Sequence, residues 1–205
     1  MVQIAELDTV PEAVEATLSY FVNAGATPVT LVGAPGATDL RTGGGESDPR
    51  HVILRTAWVY GAYGANFVKT MLRLGAERPV LRVVADQRGC PTAASDIAAA
   101  LIGIAKQIER GEVEWGTFHF AAAGSTSWHG FAEEIAGLAR TFGAWPKGSG
   151  PRVEPITTDQ YPTAAQRPMN SVLDCRKIGA LGISPPPWRS SLAAVVRELV
   201  RAEGQ

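Results

Sequence analysis

Along this chain the spacing of apolar residues switches between a helical period and short unbroken runs, and the switches outline the elements. Residues 10–22 carry apolar groups at Val10, Val14, Leu18, Phe21 and Val22, which is helical spacing. Pro11 and Glu12 suit a first turn and Gly25 a C-terminal cap. "TPVTLVG" (27–33) reads as a short buried strand, and "GAPGATDLRTGGGESDP" (33–49) as a loop. From Arg50 the pattern is denser. "HVILRTA" predicts a strand, "NFVKTMLRLGAE" a helix and "PVLRVVAD" a second strand. "SDIAAALIGIAKQIERG" predicts a long helix with Ser95 or Asp96 as its N-cap. "GTFHFAA" is a third strand, and "TSWHGFAEEIAGLARTFG" a helix opened by Thr126 or Ser127 and closed by Gly143. "PRVEPITT" reads as a short strand, "YPTAAQRPMNSVLD" as a Pro-interrupted segment, "CRKIGALGI" as a short helix and "RSSLAAVVRELVRAE" as a terminal helix. Strands alternating with helices predict α/β units and a mainly parallel sheet. The Gly-rich loop sets a boundary between residues 1–49 and 50–205.

Composition narrows the function classes. A chain of 205 residues can form one domain with a good core or two small ones. A net charge of −1 with no basic run lacks the footprint of a nucleic-acid binder. No apolar window reaches the roughly 18 residues of a membrane span. "MVQIAELDTV" has neither a positive n-region nor an apolar h-region, so a cytoplasmic location is expected. Cys90 and Cys175, with no CxxC, read as two reduced thiols.

Candidate chemistry gathers after the "HVIL" strand. Trp58, Tyr60 and Asn66 follow its carboxyl end, where open α/β sheets bind ligands. Trp58 offers a flat face to a sugar or base, or fills the core. Asn66 offers a donor–acceptor pair to hydroxyls, or caps the next helix. Arg167 in "RPMNSVLD" can clamp a phosphate through its guanidinium fork, or tie its loop to a carboxylate. Gly33 and Gly36 follow an apolar strand, but Asp39 stands at the third glycine position of a dinucleotide loop, where a carboxylate repels phosphate. An ordinary turn is the expected reading. His51, His119 and His129 have no metal-like spacing, and Glu133 and Glu134 read as a solvated helix face. No Gly-x-Ser-x-Gly elbow is present.

Several irregular loops match one family in order. "RTAWVYG", "GANFVKTMLRL", "VVADQRGCPTAASDIA", "GTFHFAAAGSTSWHGFA" and "YPTAAQRPMNSVLD" resemble the C-terminal half of dTDP-4-dehydrorhamnose reductases, extended short-chain dehydrogenase/reductases, over roughly residues 49–200. The resemblance implies a partial Rossmann-like parallel sheet, its sixth and seventh strands retained, plus a small α/β lobe that binds a nucleotide sugar. It implies a dTDP-sugar as partner, NADPH or NADH as the family's cofactor, and Trp58, Asn66 and Arg167 on the substrate side, to which the strand-end position adds Tyr60. Trp58 matches a Trp that lies against the sugar.

The departures shape the expected function. The family's glycine-rich "GxxGQLG" loop is absent, and residues 1–49 do not match its leading segment. No YxxxK occurs: the positions four after Tyr20, Tyr60, Tyr63 and Tyr161 hold Ala24, Gly64, Phe67 and Ala165. No catalytic or metal-binding residue is therefore assigned. The expectation is a truncated or rearranged reductase, inactive alone and prone to self-association or to pairing with a partner chain. The alternatives are a non-catalytic sugar-nucleotide-binding or partner subunit, and an enzyme in which residues 1–49 or a partner rebuild the cofactor site.

Overall fold

The structure, a computed structural model, describes residues 4–5, 29–32, 52–112, 115–161 and 167–203. In chain order its strands are β1 (Ile4–Ala5), β2 (Val29–Val32), β3 (Val52–Arg55), β4 (Val59–Tyr60), β5 (Val80–Val84), β6 (Arg88–Gly89), β7 (Thr92–Ala93), β8 (Gly116–His119), β9 (Thr126–Ser127) and β10 (Arg152–Ile156). Its α-helices are α1 (Phe67–Glu77), α2 (Ala94–Glu109), α3 (Trp128–Phe142), α4 (Arg176–Gly179) and α5 (Trp188–Glu203). The expected helix over 10–22, the Gly-rich loop and His51 lie outside the described residues.

The main sheet has the order β1-β2-β3-β8, and all its neighbours run parallel. β1 was not anticipated, because two residues carry no readable period. The "HVIL" strand is interior to this sheet: β3 is paired by β2 on one side and β8 on the other. "PVLRVVAD" and "PRVEPITT" leave this sheet and pair with each other, β5 parallel to β10 from Arg152↔Val80 to Ile156↔Val84. Two short ladders, β4 with β7 and β6 with β9, stitch the loops between the bodies.

Two cores follow from this division. Val52, Leu54 and Phe118 point from the main sheet to Ile97, Leu101 and Ile104 of α2. In the lobe, Val68 and Leu72 of α1, Phe131 and Ile135 of α3, and Leu192 and Val196 of α5 enclose one another with Leu81 of β5. Each such fully buried side chain contributes roughly 1.5–3 kcal/mol.

Local signals set the helix ends. Ser127 Oγ accepts from the Gly130 N–H at 3.1 Å to open α3, and Gly143 closes it at φ 78°, a left-handed turn that glycine adopts without a Cβ penalty. The α2 start differs from expectation. Ala93, not Ser95 or Asp96, is the cap, because β7 runs straight into the helix. Asp96 sits in the first turn and accepts from Ser191 Oγ at 2.6 Å, bracing α2 against α5.

Burial raises the Asp96 carboxyl above its ordinary pKa, partly opposed by the Ser191 hydroxyl. A carboxyl raised by folding favours the folded state in its protonated form. That contribution is present at acid pH and lost as pH rises through the folded pKa. Asp96→Asn, which keeps an acceptor for Ser191, should therefore melt higher than the parent at pH 7, with the gain shrinking toward about pH 4. An unchanged or lower melting temperature at pH 7 would contradict this.

Candidate functional site

Four loops converge beyond the carboxyl end of β3. The first is the turn from Arg55 to Gly61. Its backbone is tied to the second, residues 85–93, by the Thr92 N–H to the Trp58 carbonyl at 3.0 Å. The third, residues 120–127, joins through the Phe120 N–H to the Arg55 carbonyl at 2.8 Å and the Ala122 N–H to Thr92 Oγ1 at 3.2 Å. The fourth, residues 167–175, joins through Arg88 N–H to the Met169 carbonyl and Ser171 N–H to the Arg88 carbonyl, both at 2.8 Å.

Trp58 is at the centre. Its φ of 52° makes it a non-glycine residue in the left-handed region, a strained setting for a bulky side chain. Its surroundings hold it there. The indole stacks on Trp128 with centroids 3.6 Å apart and planes 10° from parallel. Its Nε1 donates to Ser171 Oγ at 3.0 Å, and that hydroxyl donates on to the Arg88 carbonyl at 3.0 Å. Phe67, the first residue of α1, packs against Trp128 at 4.8 Å.

The other residues expected at the site fall out differently. Tyr60 is buried, 1 % exposed, against Phe131, and its hydroxyl donates to the Trp188 carbonyl at 3.3 Å. Burial, with the Asp96 charge beside it, pushes its phenol well above the ordinary range. It supports the loop from beneath, because the β4–β7 ladder turns it inward. Asn66 is the α1 cap: Oδ1 accepts from the Val68 and Lys69 N–H groups, and Nδ2 donates to the Gly61 carbonyl at 2.9 Å. Arg167 is exposed at the head of the fourth loop, two residues before the Met169 carbonyl that Arg88 engages. Arg88 is exposed as well and donates to Ser125 Oγ at 3.0 Å. Two guanidinium groups thus stand on adjoining loops, a charge suited to a diphosphate.

Trp128, Gly89 and Ser171 escaped sequence reasoning. Trp128 sits next to a helix cap in "TSWHG", and that position alone marks it as no more than a first-turn residue.

Among the described residues no group of three or more His, Cys, Asp or Glu side chains is placed to hold a metal ion. The starts of α1, α2 and α3 do not fit the nicotinamide dinucleotide that the resemblance implies. A pyrophosphate needs an open helix N-terminus after a glycine turn. Here α1 is capped by Asn66, α3 by Ser127, and α2 carries the Asp96 carboxylate in its first turn. Among the described residues no helix is long and apolar enough to cross a membrane.

Residues 44–201 match the family model described as the RmlD substrate binding domain. The chain is 49% identical over 146 residues to a dTDP-4-dehydrorhamnose reductase of Aggregatibacter actinomycetemcomitans, covering 70% of this chain and 49% of the relative. It is 41% identical over 159 residues to that of Sinorhizobium fredii, covering 75% and 52%. The chain thus spans about half the length of the curated relatives it matches. Among solved structures, a dTDP-4-dehydrorhamnose reductase of Clostridium acetobutylicum superposes with a TM-score of 0.66 at 28% identity, over 100% of this chain and 81% of that one. The Bacillus anthracis reductase, solved in complex with NADP, superposes with a TM-score of 0.66 at 26% identity, over 91% and 70%. With the loops around Trp58 inside the matched span, the chain belongs to the RmlD substrate-binding-domain family, that of the dTDP-4-dehydrorhamnose reductases.

Proposed function

We propose that this chain is the nucleotide-sugar-binding part of a truncated or rearranged dTDP-4-dehydrorhamnose reductase, which binds a dTDP-sugar and does not reduce it unaided. The observation that carries the reading is the strained Trp58, held by four loops within residues matched to a substrate-binding domain. Strain retained at a strand end marks a site whose surroundings over-determine it. Trp58 meets the sugar, and Arg88 and Arg167 face the diphosphate. Asn66 and Tyr60 shape the loop, Asn66 from the α1 cap and Tyr60 from the core.

The family reaction is NAD(P)H-dependent reduction of dTDP-4-dehydro-L-rhamnose to dTDP-L-rhamnose. It needs a hydride at the C4 ketone and a proton at the forming alkoxide. The chain has no YxxxK to place that proton. The resulting role is that of a binding module, alone or beside a partner chain that supplies the cofactor.

Calorimetric titrations with dTDP-L-rhamnose and, separately, with NADPH test this. Saturable binding of the sugar nucleotide with no NADPH binding is the expected result. Micromolar NADPH binding would overturn the need for a partner chain to supply the cofactor, and no response to dTDP-L-rhamnose would overturn the binding role.

A further inference from the structure

We propose that Trp128, Gly89 and Ser171 are positioning residues that clamp the Trp58 indole so that it meets a nucleotide sugar with its edge rather than its face. This rests on the reading that the chain binds a dTDP-sugar.

Both indole faces are taken. Trp128 lies on one, at 3.6 Å and 10°. Gly89 lies on the other: a Cβ built on it would fall 2.3 Å from Trp58 Cε2, 2.5 Å from Nε1 and 2.7 Å from Cζ2. Cε2 is a ring-fusion carbon. An atom approaching in the ring plane would reach its neighbour Nε1 first, so Gly89 stands above the ring. The near-complete overlap with Trp128 leaves only the opposite side for it. The third contact fixes rotation within the plane, since Nε1 donates to Ser171 Oγ. Gly89 and Ser171 are themselves registered, because Arg88 pairs with Asn170 and its carbonyl takes both the Ser171 N–H and hydroxyl.

The indole thus cannot act as the open platform on which a sugar's C–H face stacks. Trp58 is only half-buried, so part of its rim stays open to solvent. An aromatic rim carries the positive part of the ring quadrupole. It suits electronegative groups, here the hydroxyl or carbonyl oxygens of a sugar.

The test uses the full chain with three variants, Trp128→Leu, Trp128→Phe and Gly89→Ala. Two readouts are taken: the ratio of dTDP-L-rhamnose to dTDP affinity, and the circular-dichroism couplet that closely stacked indoles give. Trp128→Leu should abolish the couplet and lower the ratio about tenfold. Trp128→Phe should lose the couplet, which needs two indoles, yet keep the ratio within about threefold, because a flat ring still backs Trp58. Gly89→Ala, which forces the ring aside, should follow Trp128→Leu. An unfolded variant would lose affinity for both nucleotides and leave no defined ratio, so Trp128→Leu and Gly89→Ala each stand as the other's control. A parent without a couplet overturns the stack. A parent that binds dTDP-L-rhamnose with an unchanged ratio in both disruptive variants overturns the clamp alone. A parent that binds neither nucleotide overturns the binding role itself, and the clamp's purpose with it.

Discussion

Replacing Tyr60 by alanine is expected to destabilise the chain by about 3–5 kcal/mol, the cost of removing a large aromatic side chain from a packed interior. Tyr60 sits where the β4–β7 ladder passes beneath the candidate site, 1 % exposed, against Phe131, which in turn meets Trp188 edge-on at 5.8 Å. Those rings join α3 and α5, so the cavity would open where three elements meet. Tyr60→Phe is the control. It removes only the 3.3 Å hydrogen bond to the Trp188 carbonyl and should cost about 0.5–1.5 kcal/mol. Urea unfolding of both variants decides the matter. If Tyr60→Ala unfolds like the parent, Tyr60 is not a core residue and belongs with the ligand contacts.

With NADPH and dTDP-4-dehydro-L-rhamnose supplied together, turnover is expected to stay at the level of a control without protein. A positioned acid alone accounts for roughly 10²–10⁴ in rate, and none stands at the YxxxK spacing. The reaction also needs a bound nicotinamide, since no side chain can supply a hydride. The starts of α1 and α3 are capped by side chains, and the first turn of α2 carries the Asp96 carboxylate. NADPH consumption that survives repurification and scales with protein concentration would contradict this.

Much of the fold was legible because its signals are local. The apolar spacing of "NFVKTMLRLGAE" and "TSWHGFAEEIAGLARTFG" fixed two helices, and Asn66, Ser127 and Gly143 are the caps that their side chains and backbone freedom suggest. The α2 start was misread because Ser95 and Asp96 are good caps in isolation. There, strand pairing of Thr92–Ala93 overrides side-chain preference. The pairing of "PVLRVVAD" with "PRVEPITT" was not legible, since two similar apolar runs do not say which sheet they join. The site was half legible. Trp58 could be found from its place after β3, but its partners could not. Ser171 lies 113 residues away. Gly89 acts by having no side chain, which leaves no pattern to read. Tyr60 and Trp58 are two residues apart in one loop, and only the ladder register shows that one turns into the core while the other stays at the rim.

The most direct test of the central claim is to follow the five tryptophan indole N–H resonances of the ¹⁵N-labelled chain during titration with dTDP-L-rhamnose. The Trp58 resonance, assigned through its loss in Trp58→Phe, should shift saturably, with Trp128 following as its stacking partner. Trp145, buried against Gly75 near the C-terminal end of α1, should stay in place. A titration in which Trp58 does not move, or in which Trp145 moves instead, would contradict the assignment of this loop cluster as the nucleotide-sugar site.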